Sequence, residues 1–92
     1  MEPVEYPING ELDLHLFQPR EVKHLVQDYL QACFEKGILD VRIIHGKGKG
    51  VLARTVHYTL ERMDIVESYD LARSTRGGWG ATMVRLKDPK AG

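Results

Sequence analysis

The 92 residues include one cysteine, two phenylalanines and one tryptophan. A lone thiol, Cys33, excludes an internal disulfide and any zinc site built on several cysteines. No apolar run approaches the ~20 residues needed to span a bilayer. The opening Met1-Glu2-Pro3-Val4-Glu5 is acidic and poor in apolar residues, unlike a signal peptide. Net charge is missing as well, with thirteen Lys and Arg against thirteen Asp and Glu. That argues against a histone-like polybasic chain but leaves local patches open. A chain of this size buries roughly 60–68 % of its unfolded surface, enough for one modest core. The expectation is one small cytoplasmic α/β domain, with no membrane partner and an open oligomeric state.

What is present is strongly patterned. Residues 1–10 carry Pro3, Pro7, Asn9 and Gly10, which suits an extended arm closed by an Asn-Gly turn. Val4, Tyr6 and Ile8 give the arm a means of packing on the domain. Residues 11–16 alternate, placing Leu12, Leu14 and Leu16 on one side and Asp13 and His15 on the other, as in a half-buried strand. Pro19 suits a first helical turn. Val22, Leu25, Val26, Tyr29, Leu30 and Cys33 then recur at helical spacing up to Lys36-Gly37, where glycine tolerates a left-handed cap. A second strand at 41–45, a second helix at about 51–63 (Leu52, Val56, Leu60, Met63), a third strand at about 65–72 and a fourth at 81–87 complete the order β-α-β-α-β-β. The domain spans 11–87, with a tail at 88–92. The fold class expected is α/β: a two-layer sandwich of one four-stranded mixed sheet with both helices on one face. The first two strands are expected to be parallel neighbours, and the second sheet face is left uncovered, which is unusual for parallel strands.

The zero net charge hides a segregation. Residues 41–60 contain no acid and four bases: Arg42, Lys47, Lys49 and Arg54. Residues 71–87 contain no acid and four bases: Arg73, Arg76, Arg85 and Lys87. Each window holds a glycine-rich loop. In His45-Gly46-Lys47-Gly48-Lys49-Gly50 the glycines let backbone approach an anion at a helix start, and the lysines add full charge. The spacing fits neither a Walker loop nor a dinucleotide fingerprint. The second loop places Trp79 between Gly78 and Gly80, beside Arg73 and Arg76, a combination suited to stacking on unpaired bases and gripping phosphates. The bland alternatives are a solvated surface, a flexible connection, and a tryptophan folded over the sheet end.

His15 and His45 each close a strand. In parallel neighbours those ends share one sheet edge, where open α/β sheets bind ligands. Asp13 lies on the face of His15 and is placed to hold its tautomer. A metal held by Asp13, His15 and His45 is a further reading, although the spacing is no ligand signature. His24 falls on the polar side of the first helix and His57 beside the buried stripe of the second, as structural or solvated residues.

Three motifs together, Leu12-Asp13-Leu14-His15, His45-Gly46-Lys47-Gly48 and Gly77-Gly78-Trp79-Gly80-Ala81-Thr82, resemble the Smr (small MutS-related) domain. That domain occurs at the C-terminus of the second MutS paralogue and as stand-alone bacterial proteins, and the likeness here is to the stand-alone type. Leu16-Phe17 stand where the family usually has Gly. The resemblance implies a fold like the C-terminal domain of translation initiation factor 3, with the fourth strand antiparallel. It also implies nucleic-acid binding and, as in several members, nicking endonuclease activity on DNA or RNA. In that reading His15 and His45 exchange protons with nucleophile and leaving group, and Asp13 orients His15. Lys47 and the amides of residues 46–50 stabilise phosphoryl charge. Nucleic acid is held by Gly46, Gly48, Lys49, Gly50, Arg54, Arg73, Arg76, Gly78, Trp79 and Gly80. RNA cleavage needs no cofactor, since the 2′-OH attacks; on DNA a divalent cation such as Mg2+ would assist an attacking water. The alternatives are a non-catalytic module for structured or single-stranded nucleic acid, and a receptor for a small phosphorylated metabolite.

Overall fold

A computed structural model describes residues 8–46, 50–71 and 80–89, and at Leu16 the backbone alone. Strands β1 (Glu11–Asp13), β2 (Asp40–Ile44), β3 (Val66–Leu71) and β4 (Ala81–Leu86) form one sheet in the order β1-β2-β4-β3. Helices α1 (Pro19–Lys36) and α2 (Val51–Glu61) follow β1 and β2. β1 and β2 are parallel, with Asp13 opposite Ile44, and β4 runs antiparallel to both of its neighbours. This is the expected mixed two-layer architecture.

The helix ends follow from local chemistry. Ahead of Pro19, the Gln18 amide donates to Glu21 Oε1 at 3.1 Å, using a donor the first turn leaves unpaired. At the other end Gly37 takes φ 79°, and the Ile38 amide returns to the Cys33 carbonyl at 2.9 Å. α2 stops at Glu61, short of the expected 63. The amides of Arg62 and Met63 bond three residues back, to Thr59 and Leu60, both at 3.1 Å. That tightened turn ends the helix while Met63 still packs on the core.

The first strand is shorter than its alternation suggests. It ends at Asp13, and Leu14–Leu16 form a 3-10 turn in place of the expected strand end. Asp13 causes the change, because its carboxylate accepts the His15 amide at 2.9 Å and gives the backbone a local alternative to the ladder. Leu12 and Leu14 still reach the core, at 3 % and 0 % exposure. Small offsets occur elsewhere: β2 begins at Asp40 and ends at Ile44, and β3 and β4 span Val66–Leu71 and Ala81–Leu86.

The core lies between sheet and helices. Val41 and Ile43 of β2 and Val84 and Leu86 of β4 meet Val22, Val26 and Leu30 of α1 and Val56 and Leu60 of α2. Tyr29 ties the chain before β1 to this core. Its hydroxyl accepts the Gly10 amide at 3.1 Å and donates to the Glu11 carbonyl at 3.0 Å. Of the proposed arm, Ile8 packs on the core, and residues 1–7 lie outside the described residues.

The uncovered sheet face carries its own counter-charges. Arg85 pairs with Asp40, both carboxylate oxygens at 2.8 Å, and Arg42 lies 3.9 Å from Glu11. Two of the eight bases in the acid-free windows are therefore matched by acids from elsewhere in the sequence. Only one strand pair in the sheet is parallel, and antiparallel strands commonly leave one face in water.

Candidate functional site

The carboxyl ends of β1 and β2 meet at one sheet edge, as the pairing of Asp13 with Ile44 requires. The start of β4 lies there too, since Ala81 pairs with Ile44. Leu71, the last residue of β3, pairs with Thr82. The amides of His45 and Gly46 both donate to the Gly80 carbonyl, at 2.8 and 2.9 Å. His15, His45, Gly46, Gly80 and the departure point of the second glycine loop thus share one rim. Lys47, Gly48, Lys49, Arg73, Arg76, Gly78 and Trp79 lie outside the described residues.

Asp13 and His15 form a dyad. Asp13 Oδ1 accepts both the His15 amide at 2.9 Å and His15 Nδ1 at 2.7 Å. The backbone N–H is the main reason the Asp13 carboxyl lies below its ordinary range; burial opposes it and the imidazole contact adds to it. An ionised carboxylate only accepts, so the His15 proton sits on Nδ1 and Nε2 carries the free lone pair. The His15 side chain is 61 % exposed.

Gly46 forms the wall beside His15. It adopts φ 83°, and a Cβ placed on it would stand 3.3 Å from His15 Nε2. Both facts favour glycine, the first by backbone sterics and the second by the need for close approach. The Gly46 amide, expected to face a phosphoryl oxygen, donates in this structure to the Gly80 carbonyl. Gly50 takes φ 82° ahead of α2, where its carbonyl accepts the Arg54 amide at 2.9 Å.

His45 sits at the same rim but points inward, and is 5 % exposed. Its Nδ1 contacts the Gly46 carbonyl at 3.0 Å and its Nε2 contacts Thr82 Oγ1 at 2.8 Å. Both nitrogens are thus engaged within the protein, unlike those of His15. His57 of α2 reaches the same Thr82 hydroxyl through Nε2 at 2.8 Å. Burial, and secondly the proximity of the His45 imidazole, push His57 below its ordinary value of 6.5. Among the described residues no three of His, Cys, Asp and Glu converge as metal ligands.

Arg54 stands on the outer face of α2, where it lines a shallow hollow with Val51, Thr55 and Tyr58. Val51 and Tyr58 are 60 % and 51 % exposed, and the Arg62 guanidinium lies 4.5 Å from the centre of the Tyr58 ring. Sequence reasoning singled out Arg54 but not Tyr58 or Arg62. The available signal was an apolar residue at 51 and an aromatic at 58, two helical turns apart and off the buried stripe.

No helix among the described residues is long and apolar enough to cross a membrane. Comparison with known proteins agrees with the geometry. The Smr domain profile matches residues 12–87. Endonuclease MutS2 of Halothermothrix orenii is 39 % identical over 80 residues, and that of Clostridium tetani 34 % over 80. In each case the match takes in 87 % of this chain and 10 % of the relative, so the chain spans about a tenth of these relatives' length. Among solved structures, the Smr domain of Thermus thermophilus MutS2 superposes with a TM-score of 0.79 at 33 % identity, covering 86 % of this chain and 99 % of that one. YdaL, a stand-alone small MutS-related protein from Escherichia coli, gives 0.79 at 30 % identity, covering 90 % and 68 %. The three motifs, the strand order and these matches agree: the chain belongs to the Smr domain family.

Proposed function

We propose that this Smr domain is a nucleic-acid endonuclease whose general base is His15. The supporting observation is the Asp13–His15 dyad, in which an ionised carboxylate holds Nδ1 of an exposed imidazole and leaves Nε2 unengaged, at the rim where His45, Gly46 and Gly80 meet. The MutS2 relatives bear the name endonuclease, which fits this reading.

On RNA the step balances without a cofactor. His15 Nε2 takes the 2′-OH proton, the 2′-oxygen bonds to phosphorus, and the 5′-oxygen leaves. The products are a 2′,3′-cyclic phosphate and a 5′-hydroxyl end, with the leaving oxygen protonated from solvent or a neighbouring acid. On DNA a water replaces the 2′-OH, and a divalent cation such as Mg2+ would assist it. The described donors suit the RNA step better, because no carboxylate cluster accompanies Asp13. Lys47 is assigned the phosphoryl charge, and Gly48, Lys49, Arg73, Arg76, Gly78 and Trp79 the grip on the strand. Arg54, Tyr58 and Arg62 extend that grip along α2, with Tyr58 as a stacking platform.

Binding without cleavage is the second reading. It is favoured by the closure of His45, which leaves His15 as the one imidazole of the pair with a free nitrogen. The test is to incubate supercoiled plasmid and structured RNA with wild type, His15→Ala and Lys47→Ala, with and without EDTA. Cleavage lost in His15→Ala with binding retained supports the enzyme. Cleavage surviving in both variants marks a contaminant and sinks the proposal, and binding with no cleavage at all favours the second reading. EDTA should suppress nicking of DNA and leave RNA cleavage intact. Affinity should fall steeply with salt if phosphates are the contact.

A further inference from the structure

The rim holds more polar chemistry than a single base requires. Three buried or half-buried side chains from three elements lie behind Gly46: His45 after β2, Thr82 of β4 and His57 of α2. Their hydrogen-bond directions follow from one fixed point. The Gly46 carbonyl can only accept, so His45 carries its proton on Nδ1. In neutral His45, Nε2 is then an acceptor, and the Thr82 hydroxyl must donate to it. That hydroxyl has one proton, so its second contact must be donated by the N–H at His57 Nε2. Burial, the main cause of the lowered His57 pKa, favours this neutral form.

We infer that His57 and Thr82 are positioning residues of the site, acting through His45 to fix the Gly46 peptide against which His15 Nε2 is held. The chain runs His57 to Thr82 to His45 to the Gly46 carbonyl, each link donating in the same direction. His57 is in turn seated by Tyr69, with ring centres 4.8 Å apart, and the Tyr69 hydroxyl donates to Glu61 Oε2 at 2.5 Å. A helix that touches neither Asp13 nor His15 thereby sets the wall of their site. The Gly46 wall is where a displacement would be felt, because a single added carbon there would come within 3.3 Å of the base.

The catalytic part of this inference rests on His15 being the base, whereas the positioning part does not. The test therefore has two arms. In the first, nitrogen-detected NMR of the wild-type imidazoles reads the tautomers directly. The expected pattern is a proton on Nδ1 of His15 and His45 and on Nε2 of His57. A proton on Nε2 of His45 overturns the chain whatever the protein does to nucleic acid. In the second, Thr82→Val removes the hydroxyl with little change of shape and Thr82→Ser restores it. Thr82→Val should shift the Gly46 amide and His15 ring resonances and lower kcat about 10–100-fold with KM little changed. Thr82→Ser should recover most of both. His57→Phe, which keeps the ring against Tyr69 but removes the donor, should give a smaller loss in the same direction. If Thr82→Val is folded and leaves Gly46, His15 and kcat unmoved, the positioning role is wrong. If wild type cleaves nothing while the tautomers and the Gly46 shift are as described, the endonuclease reading fails and the positioning role stands. Should Thr82→Val not fold, the wild-type tautomers and the Thr82→Ser variant decide the matter.

Discussion

The turns after β1 and β2 lie side by side, each carries a histidine, and they treat it in opposite ways. After β1, Asp13 caps a 3-10 turn and engages only one His15 nitrogen, leaving the other in solvent. After β2, the chain turns His45 under the sheet edge, where a carbonyl and a hydroxyl engage both nitrogens. The same side chain is exposed with one nitrogen unengaged in one turn, where we propose it acts as the base, and is buried with both nitrogens engaged in the other. The difference is made by what stands behind the ring. A lone carboxylate at the surface orients an imidazole without closing it, whereas a partner on each nitrogen in the interior fixes it in place.

The contrast breaks most visibly in stability. His45→Ala removes a buried ring and takes away the acceptor of the Thr82 hydroxyl proton and the donor to the Gly46 carbonyl, for a cost of about 2–3 kcal/mol in urea unfolding. His15→Ala, at an exposed position, should change the same measurement by less than about 0.5 kcal/mol. Gly46→Ala comes next. The left-handed backbone alone costs about 1–2 kcal/mol, and the added methyl should displace the His15 ring. Its signature is a cleavage rate that falls further than the stability loss explains.

Tyr29→Phe sharpens the comparison from outside it, because this hydroxyl anchors the entry to β1 and touches neither histidine. Unfolding should report a loss of about 1–2 kcal/mol, with cleavage by the folded fraction unchanged. The smallest effect expected is a pH dependence. The folded-state pKa of His57 lies below its ordinary 6.5, so on acidification the unfolded chain takes up a proton that the folded chain refuses. The contribution is intact above about pH 6.5 and is lost progressively as pH falls from there toward the lower folded value. His57→Phe should flatten that slope, as measured by unfolding at a series of pH values.

Much of this was legible in the sequence where a local rule applied. The apolar spacing from Val22 to Cys33, closed by Gly37, marks α1 because burial and capping both act within a few residues. The shared edge of the two turns follows from a parallel βαβ unit, whose strand ends must coincide. Alternation alone misjudged β1. A short side chain at Asp13 captures a nearby amide, and that competition leaves the hydrophobic pattern intact while ending the strand. The closure of His45 could not be seen locally, because its partner Thr82 lies 37 positions away and His57 lies 25 positions from Thr82. Charge windows overstated the cationic surface for the same reason, since Arg42 and Arg85 meet Glu11 and Asp40 across the sheet.

The account is tested most directly by measuring cleavage rate and unfolding free energy together for His15→Ala and His45→Ala. The prediction is that His15→Ala keeps its stability and loses cleavage by about 100-fold or more, while His45→Ala loses about 2–3 kcal/mol of stability and its folded fraction cleaves about 10–100-fold more slowly through the displaced Gly46 peptide. A stable His15→Ala that cleaves like wild type, beside a stable His45→Ala that does not cleave, would reverse the two assignments and contradict the account.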